Sequence, residues 1–328
     1  MILGIESTAH TFGIGIVENG KIFCNVKDSY TTEKGGIIPM EAAKHHKEVA
    51  DFVYEKALKE ARINEEQIKA IAISNAPGLA PCLITGLKFA KKKALALNIP
   101  LIPVNHCIAH LEIGRITGAK DPVLLYASGA NTQIIAYAAG KYRVFGETLD
   151  IGIGNFIDSF ARVIGIGFPG GPKIQELAKT GNNVYIELPY SIKGMDVAFS
   201  GLLTKLKQIH ETKKYKIEDL AFSLQETAFA MLVEAAERAL AHTGKNELVL
   251  GGGVACNTRL QEMCKIMCEE RRCRCFIPPN DLLTDNAAMI AYTGELMFKN
   301  GNFVEAKDVD NIDIKPRQRT DDVVIKYR

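Results

Sequence analysis

An internal repeat constrains the fold of this chain more than any other feature. Residues 2–22, ILGIESTAHTFGIGIVENGKI, align without gaps on residues 122–142, PVLLYASGANTQIIAYAAGKY, at a shift of 120 positions. Each copy reads as an apolar strand, a turn of small residues, a second strand and a hairpin with Gly followed by Lys, at Gly20-Lys21 and Gly140-Lys141. A repeat of this length predicts two lobes built on one plan.

Strand-like and helix-like segments alternate along the chain, with Gly and Pro between them, which is typical of an α/β fold. The length of 328 residues suits two domains. We predict a first lobe at residues 1–118 and a second lobe at residues 119–328, with a C-terminal segment free to return to the first lobe. The predicted architecture is the two-lobed actin-like ATPase (ASKHA) fold, with duplicated RNase H-like domains and a central nucleotide and metal cleft.

The turn in each copy consists of small residues, which let a backbone approach phosphate oxygens closely. These residues are Ser7, Thr8 and Ala9 in the first copy and Ser128, Gly129 and Ala130 in the second. Two ordinary β-hairpins would give the same local pattern, but the ungapped pair favours phosphate loops that face each other across a cleft. The segment 251–253, Gly-Gly-Gly, also suits a nucleotide, because it follows an apolar strand and precedes a helix with Asn257 near its start.

The segment PVNHCIAH, residues 103–110, places two histidines four positions apart. Asn105 is a predicted helix N-cap, so that His106 and His110 share one helix face and can bind a metal ion. The zinc-peptidase motif HExxH needs a glutamate general base directly after the first histidine, and Cys107 occupies that position. A metallopeptidase is therefore disfavoured, whereas two packed or solvated imidazoles remain an alternative.

Two histidines are half of a metal site, and carboxylate or phenol groups are the expected further ligands. Asp285 is predicted to begin a helix behind the N-cap Thr284, where an acid also complements the helix dipole without any metal. Tyr126 lies at the end of a second-lobe strand, at the repeat position of Glu6. Spacing along the chain does not by itself bring these side chains together.

The charge balance is nearly even, with 40 Lys and Arg against 38 Asp and Glu, which argues against a polycationic binder. We expect no membrane span and no signal peptide, and we predict a cytoplasmic protein.

Four of the eight cysteines are close in sequence, the first two on a predicted helix and the last two entering a strand: Cys264, Cys268, Cys273 and Cys275. A zinc site, a disulfide and free thiols are alternatives for this group, of which free thiols are commonest in the cytosol.

The chain resembles the universal tRNA threonylcarbamoyl-transferase subunit in its archaeal and eukaryotic form, which works in the KEOPS complex. The resemblance covers nearly the whole chain and rests on the motifs LGIESTAHT, GGIIPMEAAKHH, APGLAPCL, NHCIAH, YASGANTQ, TLDIGIGNFIDSFAR, KGMDVAFSGLL, FSLQETAFAMLVE, GGGVACNTRLQEM and QRTDDVVIKYR. Where the family usually shows GGIHPREAA, this chain has Ile38 and Met40, and Gln175 stands where the family often has glutamate.

The resemblance implies one iron or zinc ion per chain. It assigns the metal ligands as His106, His110, Tyr126 and Asp285. It also implies a site for threonylcarbamoyl-AMP, or for ATP or AMP analogues, formed by Tyr126, Ala127, Ser128, Gly129, Ala130, Asp158, Gly171, Gln175 and Asn257. Asp158 is the candidate catalytic base.

The implied reaction moves a threonylcarbamoyl group from its adenylate to N6 of the adenosine directly after the anticodon, in tRNAs that decode ANN codons. The implied partners are tRNA, a kinase-like ATPase subunit that some archaea fuse behind this domain, and small KEOPS subunits. Lysine- and arginine-rich segments at 88–97, 205–216 and 271–274 are candidate tRNA contacts. An ATPase or sugar-kinase-like phosphotransferase is the main alternative function.

Overall fold

The computed structural model describes residues 1–32 and 36–328. Gly35, the first residue of the GGIIPMEAAKHH motif, lies outside the described residues. The strands are β1 Ile2–Glu6, β2 Thr11–Glu18, β3 Lys21–Ser29, β4 Ala70–Ala76, β5 Leu101–Asn105, β6 Val123–Ala127, β7 Thr132–Ala138, β8 Lys141–Glu147, β9 Ile192–Lys193, β10 Asp196–Val197, β11 Glu247–Gly251 and β12 Arg274–Phe276.

The α-helices alternate with these strands. They are α1 Pro39–Ala61, α2 Ala80–Leu97, α3 His106–Gly114, α4 Ile153–Val163, α5 Gly171–Thr180, α6 Ser200–Glu211, α7 Ile217–Thr243, α8 Thr258–Glu270, α9 Asn280–Leu283 and α10 Ala287–Lys299. Short 3-10 helices lie at Glu65–Gln67, Arg115–Thr117, Gly253–Cys256, Ala306–Asn311 and Thr320–Asp322.

Two sheets repeat one strand order. The first has the order β3-β2-β1-β4-β5, and the second has β8-β7-β6-β11-β12. In both sheets the first three strands along the chain are antiparallel, and the remaining two are parallel additions at the other edge. The predicted α/β class and the predicted duplication are therefore confirmed.

The hairpin turns of the two copies match in detail. Asn19 and Gly20 have φ of 52° and 75°, and Ala139 and Gly140 have φ of 49° and 78°. Two consecutive residues with positive φ form the turn whose twist fits a tight β-hairpin. The repeat seen in the sequence is thus also a repeat of backbone conformation.

Helices cover the sheets and bury their apolar faces. Helices α1 and α2 pack on the first sheet, and α4 to α8 enclose the main core of the second. Helix α10, late in the chain, packs against β1 and β2 of the first sheet. The division into lobes at residues 118 and 119 remains a prediction.

Candidate metal centre and nucleotide cavity

Helix α3 carries the two histidines and begins where the sequence predicts. Asn105 accepts a hydrogen bond on Oδ1 from the Ile108 N–H at 3.2 Å, which confirms it as the N-cap. Its Nδ2 donates to Gln318 Oε1 at 3.3 Å. Every residue of α3 is buried, so the alternative of solvated imidazoles is wrong.

The structure brings His106, His110 and Asp285 together. The two imidazole rings lie 4.7 Å apart, nearly perpendicular to each other. Nε2 of each ring is 3.4 Å from Asp285 Oδ1. One potential ligand atom from each residue lies within 4.8 Å of the others, an arrangement that can hold a metal ion.

Asp285 precedes helix α10 rather than beginning it. The predicted N-cap Thr284 is wrong, because Asn286 accepts the Met289 N–H at 2.9 Å and caps the helix. The Asn286 amide also donates to the Thr284 carbonyl at 2.8 Å, while the Thr284 hydroxyl accepts from Lys27 instead of capping the helix. Asp285 is consequently on the segment before the helix, where its carboxylate reaches the histidines instead of the helix end.

Strand β3 of the first sheet holds this segment in place. Lys27 Nζ donates to Thr284 Oγ1 at 2.6 Å and to the Asp285 carbonyl at 3.3 Å. Asn25 Oδ1 accepts from the Ala288 N–H at 3.3 Å. Burial lowers the pKa of Lys27, and the charge of Asp285 opposes that shift. The segment that carries the Asp285 carboxylate is therefore held by Lys27, which lies 258 residues earlier in the chain.

Tyr126 completes the surroundings of the histidines. Its ring lies 5.0 Å from that of His110, and its hydroxyl is buried without a hydrogen-bond partner among the described residues. Burial raises the pKa of Tyr126 well above 10.0, and Cys107 and Asp285 act in the same direction. A buried hydroxyl without a partner is costly, and a cation between the histidines would satisfy it. Two imidazoles, a carboxylate and a phenol therefore fit a transition metal.

The charges at this centre are interdependent. Burial alone would lower the pKa of His106, but Glu6 and Asp285 raise it well above 6.5. Burial alone would raise the pKa of Asp285, but His106 holds it well below 3.8. Burial lowers the pKa of His110. Metals bind to a neutral imidazole and an ionised carboxylate, so a cation at this centre would displace the second proton of His106.

A cavity of about 430 Å³ lies beside these groups. It is lined by residues of both sheets' turns and of the loops before α5, α8 and α10: His10, Ser128, Gly129, Gly154, Ile157, Asp158, Phe168, Pro169, Gly171, Pro172, Ile174, Gln175, Gln225, Gly253, Val254, Cys256, Asn257, Thr284 and Asp285. Six residues predicted for the nucleotide site line it, namely Ser128, Gly129, Asp158, Gly171, Gln175 and Asn257. Tyr126, Ala127 and Ala130 do not line it.

The turn between β6 and β7 sits on the beginning of α4. The Gly154 N–H donates to the Ser128 carbonyl at 3.0 Å, and the Asn155 N–H donates to the Gly129 carbonyl at 2.9 Å. A Cβ on Gly154 would lie 2.7 Å from the Gly129 Cα, so glycine is needed for this contact. Because its carbonyls are turned toward the helix, this turn is held in one conformation at the cavity wall.

The predicted polar residues of the cavity are also tied to the backbone. Asp158 Oδ1 accepts from the Gly170 N–H at 2.8 Å, and burial raises the pKa of this carboxyl. Gln175 accepts from the Thr258 N–H at 2.9 Å. Asn257 caps α8 and donates to Gln225 at 2.5 Å. These hydrogen bonds connect helices α4, α5, α7 and α8 around the cavity.

Sequence reasoning missed several residues of this region. Gln225 lies within the long helix α7, where an amide looks like an ordinary surface residue. His10 lies in the first turn and contacts Phe168 edge-on at 5.5 Å, a pairing between distant loops. His10 stands in a repeat turn, which could have marked it as a candidate.

The cysteine group does not form a second centre. All eight cysteines are free thiols, so the disulfide alternative is not realised. Cys264 and Cys268 lie in α8 and Cys275 in β12, as the sequence predicts. Among residues 1–32 and 36–328, the cluster of His106, His110 and Asp285 is the one with the geometry for a metal ion.

Comparison with known families identifies the family of the chain. The model of the TsaD family, described as tRNA N6-adenosine threonylcarbamoyltransferase, matches residues 21–292. The chain belongs to this family. It is 57% identical over 325 residues to the tRNA N6-adenosine threonylcarbamoyltransferase of Thermococcus kodakarensis, covering 99% of each chain. It is 50% identical over 329 residues to that of Thermofilum pendens, covering 100% of this chain and 97% of the relative.

Some relatives of this threonylcarbamoyltransferase chain are longer. The probable bifunctional tRNA threonylcarbamoyladenosine biosynthesis protein of Methanosarcina mazei is 52% identical over 330 residues, which is 99% of this chain but 59% of the relative. That protein therefore carries a further region beyond the part that matches.

Solved structures confirm the actin-like ATPase fold. Full-length HypF in its phosphate- and nucleotide-bound form matches 90% of this chain and 46% of its own, with a TM-score of 0.61 and 14% identity. Component A of the (R)-2-hydroxyglutaryl-CoA dehydratase of Acidaminococcus fermentans matches 89% of this chain and 97% of its own, with a TM-score of 0.56 and 13% identity. At this identity the likeness concerns the fold alone. Among the described residues, no helix is both long enough and apolar enough to cross a membrane.

Proposed function

We propose that this chain transfers a threonylcarbamoyl group from threonylcarbamoyl adenylate to N6 of the adenosine after the anticodon of tRNA, at a centre that joins a metal ion to an adenylate cavity. Membership of the tRNA N6-adenosine threonylcarbamoyltransferase family supports the reaction. One observation carries the proposed site: Asp285 lies within the cluster of His106 and His110 and also lines the cavity of about 430 Å³. A cation held there would touch whatever acyl adenylate fills the cavity.

The proposed ligands are His106, His110, Asp285 and Tyr126. A divalent or trivalent ion in this set supplies a Lewis acid that polarises an acyl or phosphoryl oxygen. The adenine N6 is a weak nucleophile, so activation of the acyl group is the chemistry that the reaction needs most. Iron or zinc suits nitrogen and oxygen ligands of this kind, and one ion per chain is proposed.

The cavity residues bind and orient the adenylate. Ser128 and Gly129 are the turn residues proposed to meet the phosphate, and Gly171, Gln175 and Asn257 also line the cavity. Asp158 is the proposed base for the N6 proton, because burial raises its pKa and makes it a better proton acceptor. Tyr126 and Ala127 end strand β6, and Ala130 lies in the turn that follows, next to Ser128 and Gly129.

The proposed partners are tRNA, a kinase-like ATPase subunit and small KEOPS subunits, in the cytoplasm. The longer bifunctional relatives support the association with a second protein. Exposed lysines and arginines are available for tRNA phosphates on α2, on α6 and the loop that follows it, and between α8 and β12: Lys88, Lys92, Lys205, Lys207, Lys213, Lys214, Arg272 and Arg274.

A single-turnover assay tests the proposal. The chain, alone and with its partner subunits, is mixed with threonylcarbamoyl adenylate and tRNA, and the modified nucleoside is measured by mass spectrometry. Asp285→Asn should lose transfer by at least about 100-fold, because a ligand to a Lewis acid contributes several kcal/mol. Asp281→Asn, which changes an exposed acid in α9 four residues away, is the matched control.

The same reactions discriminate the alternative functions. Release of γ-phosphate from ATP without formation of the modified nucleoside would favour the ATPase or sugar-kinase alternative. Cleavage of peptides is not expected, because Cys107 is 2% exposed and burial raises the pKa of its thiol, so it offers no base for activating water. Equal transfer by wild type and Asp285→Asn would contradict the proposed centre.

A further inference from the structure

Glu6 is a fully buried carboxylate for which the proposed reaction has no role. It ends strand β1 and has 0% exposure. Its Oε1 accepts from the Thr8 N–H at 2.7 Å and from the Thr8 hydroxyl at 2.5 Å, and its Oε2 is 3.0 Å from His106 Nδ1. A buried charge persists only when it is paired and hydrogen-bonded, and both oxygens of Glu6 meet that condition.

The hydrogen bond between Glu6 and His106 determines which nitrogen of His106 is available to a metal ion. Since an ionised carboxylate only accepts hydrogen bonds, Nδ1 of His106 carries the proton and donates to Glu6. Nε2, which is 3.4 Å from Asp285 Oδ1, is then the nitrogen that a metal ion would bind, in place of the second proton that Glu6 and Asp285 stabilise on the metal-free ring. A carboxylate behind a metal-binding histidine fixes the ring and makes it a stronger ligand.

The other end of the network is the first turn. Thr8 is held by Glu6 on one side, and its carbonyl accepts from the Leu79 N–H at 2.8 Å on the other. A Cβ on Gly78 would lie 2.6 Å from that carbonyl, so Thr8 has little space to move. Two residues further on, His10 reaches the cavity wall beside Phe168. Glu6 therefore lies between a metal-binding ring and the turn that borders the adenylate cavity.

We propose that Glu6 is a positioning residue that couples the metal centre to the first turn, so that metal and adenylate each strengthen binding of the other. This inference rests on the proposed function of the centre. A cation on Nε2 of His106 would make its Nδ1–H a stronger donor and would strengthen the hydrogen bond to Oε2 of Glu6. The same carboxylate fixes Thr8 and, through the chain, the approach of His10 to the cavity. Binding linkage is reciprocal, so the effect is measurable from either side.

Equilibrium titrations with Zn²⁺ and AMP as probes test the coupling. In the wild type we expect saturating AMP to lower the dissociation constant for Zn²⁺ by about tenfold, within the usual range for coupled sites. Glu6→Gln keeps the shape of the side chain but loses its charge. It should weaken Zn²⁺ binding by about 10- to 100-fold, the usual cost of losing such a partner, and should reduce the effect of AMP to what a direct contact between the cation and AMP supplies.

Two further variants separate positioning from general damage. Thr8→Val removes a hydroxyl that lies 3.2 Å from His106 Nδ1 but leaves the Glu6–His106 pair. It should therefore weaken Zn²⁺ binding less than about tenfold while also reducing the effect of AMP. Glu18→Gln, at the end of the neighbouring strand β2 with 37% of its side chain exposed, should behave as the wild type. Thr8→Val carries the test if Glu6→Gln does not fold, as judged by thermal unfolding.

The outcomes distinguish this inference from the proposed function. If the wild type does not bind Zn²⁺, or His106→Ala binds it equally well, the metal centre itself is wrong and the coupling falls with it. If His106→Ala loses Zn²⁺ while Glu6→Gln keeps both the affinity and the AMP effect, only the role of Glu6 is overturned. A wild type in which AMP leaves Zn²⁺ affinity unchanged also overturns the coupling.

Discussion

The two lobes present equivalent strand ends to the same helix but give them different chemistry. Glu6 in β1 and Tyr126 in β6 occupy matching positions of the repeat, and both are fully buried. Glu6 lies against His106 with both oxygens bonded, whereas Tyr126 lies against His110 with a hydroxyl that bonds to none of the described residues. The repeat provides the geometry, and one side-chain difference gives the first lobe a hydrogen-bonded carboxylate and the second lobe the phenol that is proposed as a metal ligand.

A second difference between the sheets is how closely helix α10 approaches the backbone of the first one. Gly4 and Gly15 of the first sheet correspond to Leu124 and Ile135 of the second. A Cβ at Gly4 would lie 2.3 Å from the Ala291 nitrogen, so α10 packs directly on the first-lobe backbone. The segment carrying Asp285 leads into this helix. Small residues in the first lobe therefore help to set the position of Asp285, the proposed carboxylate ligand.

The largest expected effect comes from helix α3, whose histidines contact Glu6 of β1 and Tyr126 of β6. His110→Ala should lower transfer of the threonylcarbamoyl group by on the order of 10³-fold, equivalent to about 4 kcal/mol, because the centre loses a ligand. His45→Ala is the control, since that imidazole pairs with Asp28 at 2.8 Å on helix α1. Single-turnover rates measure the effect, and a loss of less than tenfold would show that His110 is not a ligand.

The close approach of α10 predicts the next largest effect. Gly4→Ala should lower the free energy of unfolding by about 3 kcal/mol, because the methyl group meets backbone that cannot yield. Gly201→Ala in α6 has open space around the new Cβ and should stabilise the helix by about 0.5–1 kcal/mol. Urea denaturation compares the two. Equal stability of Gly4→Ala and the wild type would refute the tight packing of the first lobe.

The first lobe also carries a buried imidazole near its turn. Burial lowers the pKa of His46 to about 4, and its ring packs against Phe12. This pKa lies below the unfolded value of 6.5, so its contribution to stability is present above pH 6.5 and is lost as the pH falls toward 4. Between pH 7 and pH 5 the loss should be about 2 kcal/mol.

Replacement of His46 checks this assignment. His46→Leu cannot gain a proton, so its free energy of unfolding should fall less between pH 7 and pH 5 than that of the wild type. The comparison uses chemical denaturation at both pH values. If the wild type and His46→Leu lose equal stability over this interval, another group is responsible.

The smallest expected effect is a change in stability, and its sign depends on whether a metal ion is bound. Tyr126→Phe removes a buried hydroxyl without a partner, so in the presence of a chelator it should stabilise the protein by about 1 kcal/mol. With Zn²⁺ bound this advantage should vanish or reverse, because a ligand is missing. Tyr142→Phe is the matched control, since the Tyr142 hydroxyl donates to Glu112 and its loss should destabilise the protein with or without Zn²⁺. An equal effect of Tyr126→Phe in both conditions would remove Tyr126 from the centre.

The sequence predicts the features that local patterns encode. The repeat predicts the opening hairpin of both sheets, and Asn105 and the spacing of His106 and His110 predict the start and the face of α3. Features made by distant residues are not predicted in this way. The cap at Asn286 competes with Thr284 through bonds to the preceding turn, and Lys27 reaches the Asp285 segment from a strand at the other end of the chain. The pairing of Glu6 with His106 likewise depends on how β1 and β5 enter one sheet.

A crystal structure with anomalous scattering measured at the metal absorption edge tests the central claim most directly. The account predicts one peak per chain, about 2.0–2.2 Å from nitrogen atoms of His106 and His110 and from oxygen atoms of Asp285 and Tyr126. The peak should vanish in crystals of Asp285→Asn grown under the same conditions. A peak at the cysteines of α8 and β12 instead, or one that persists in Asp285→Asn, would contradict it.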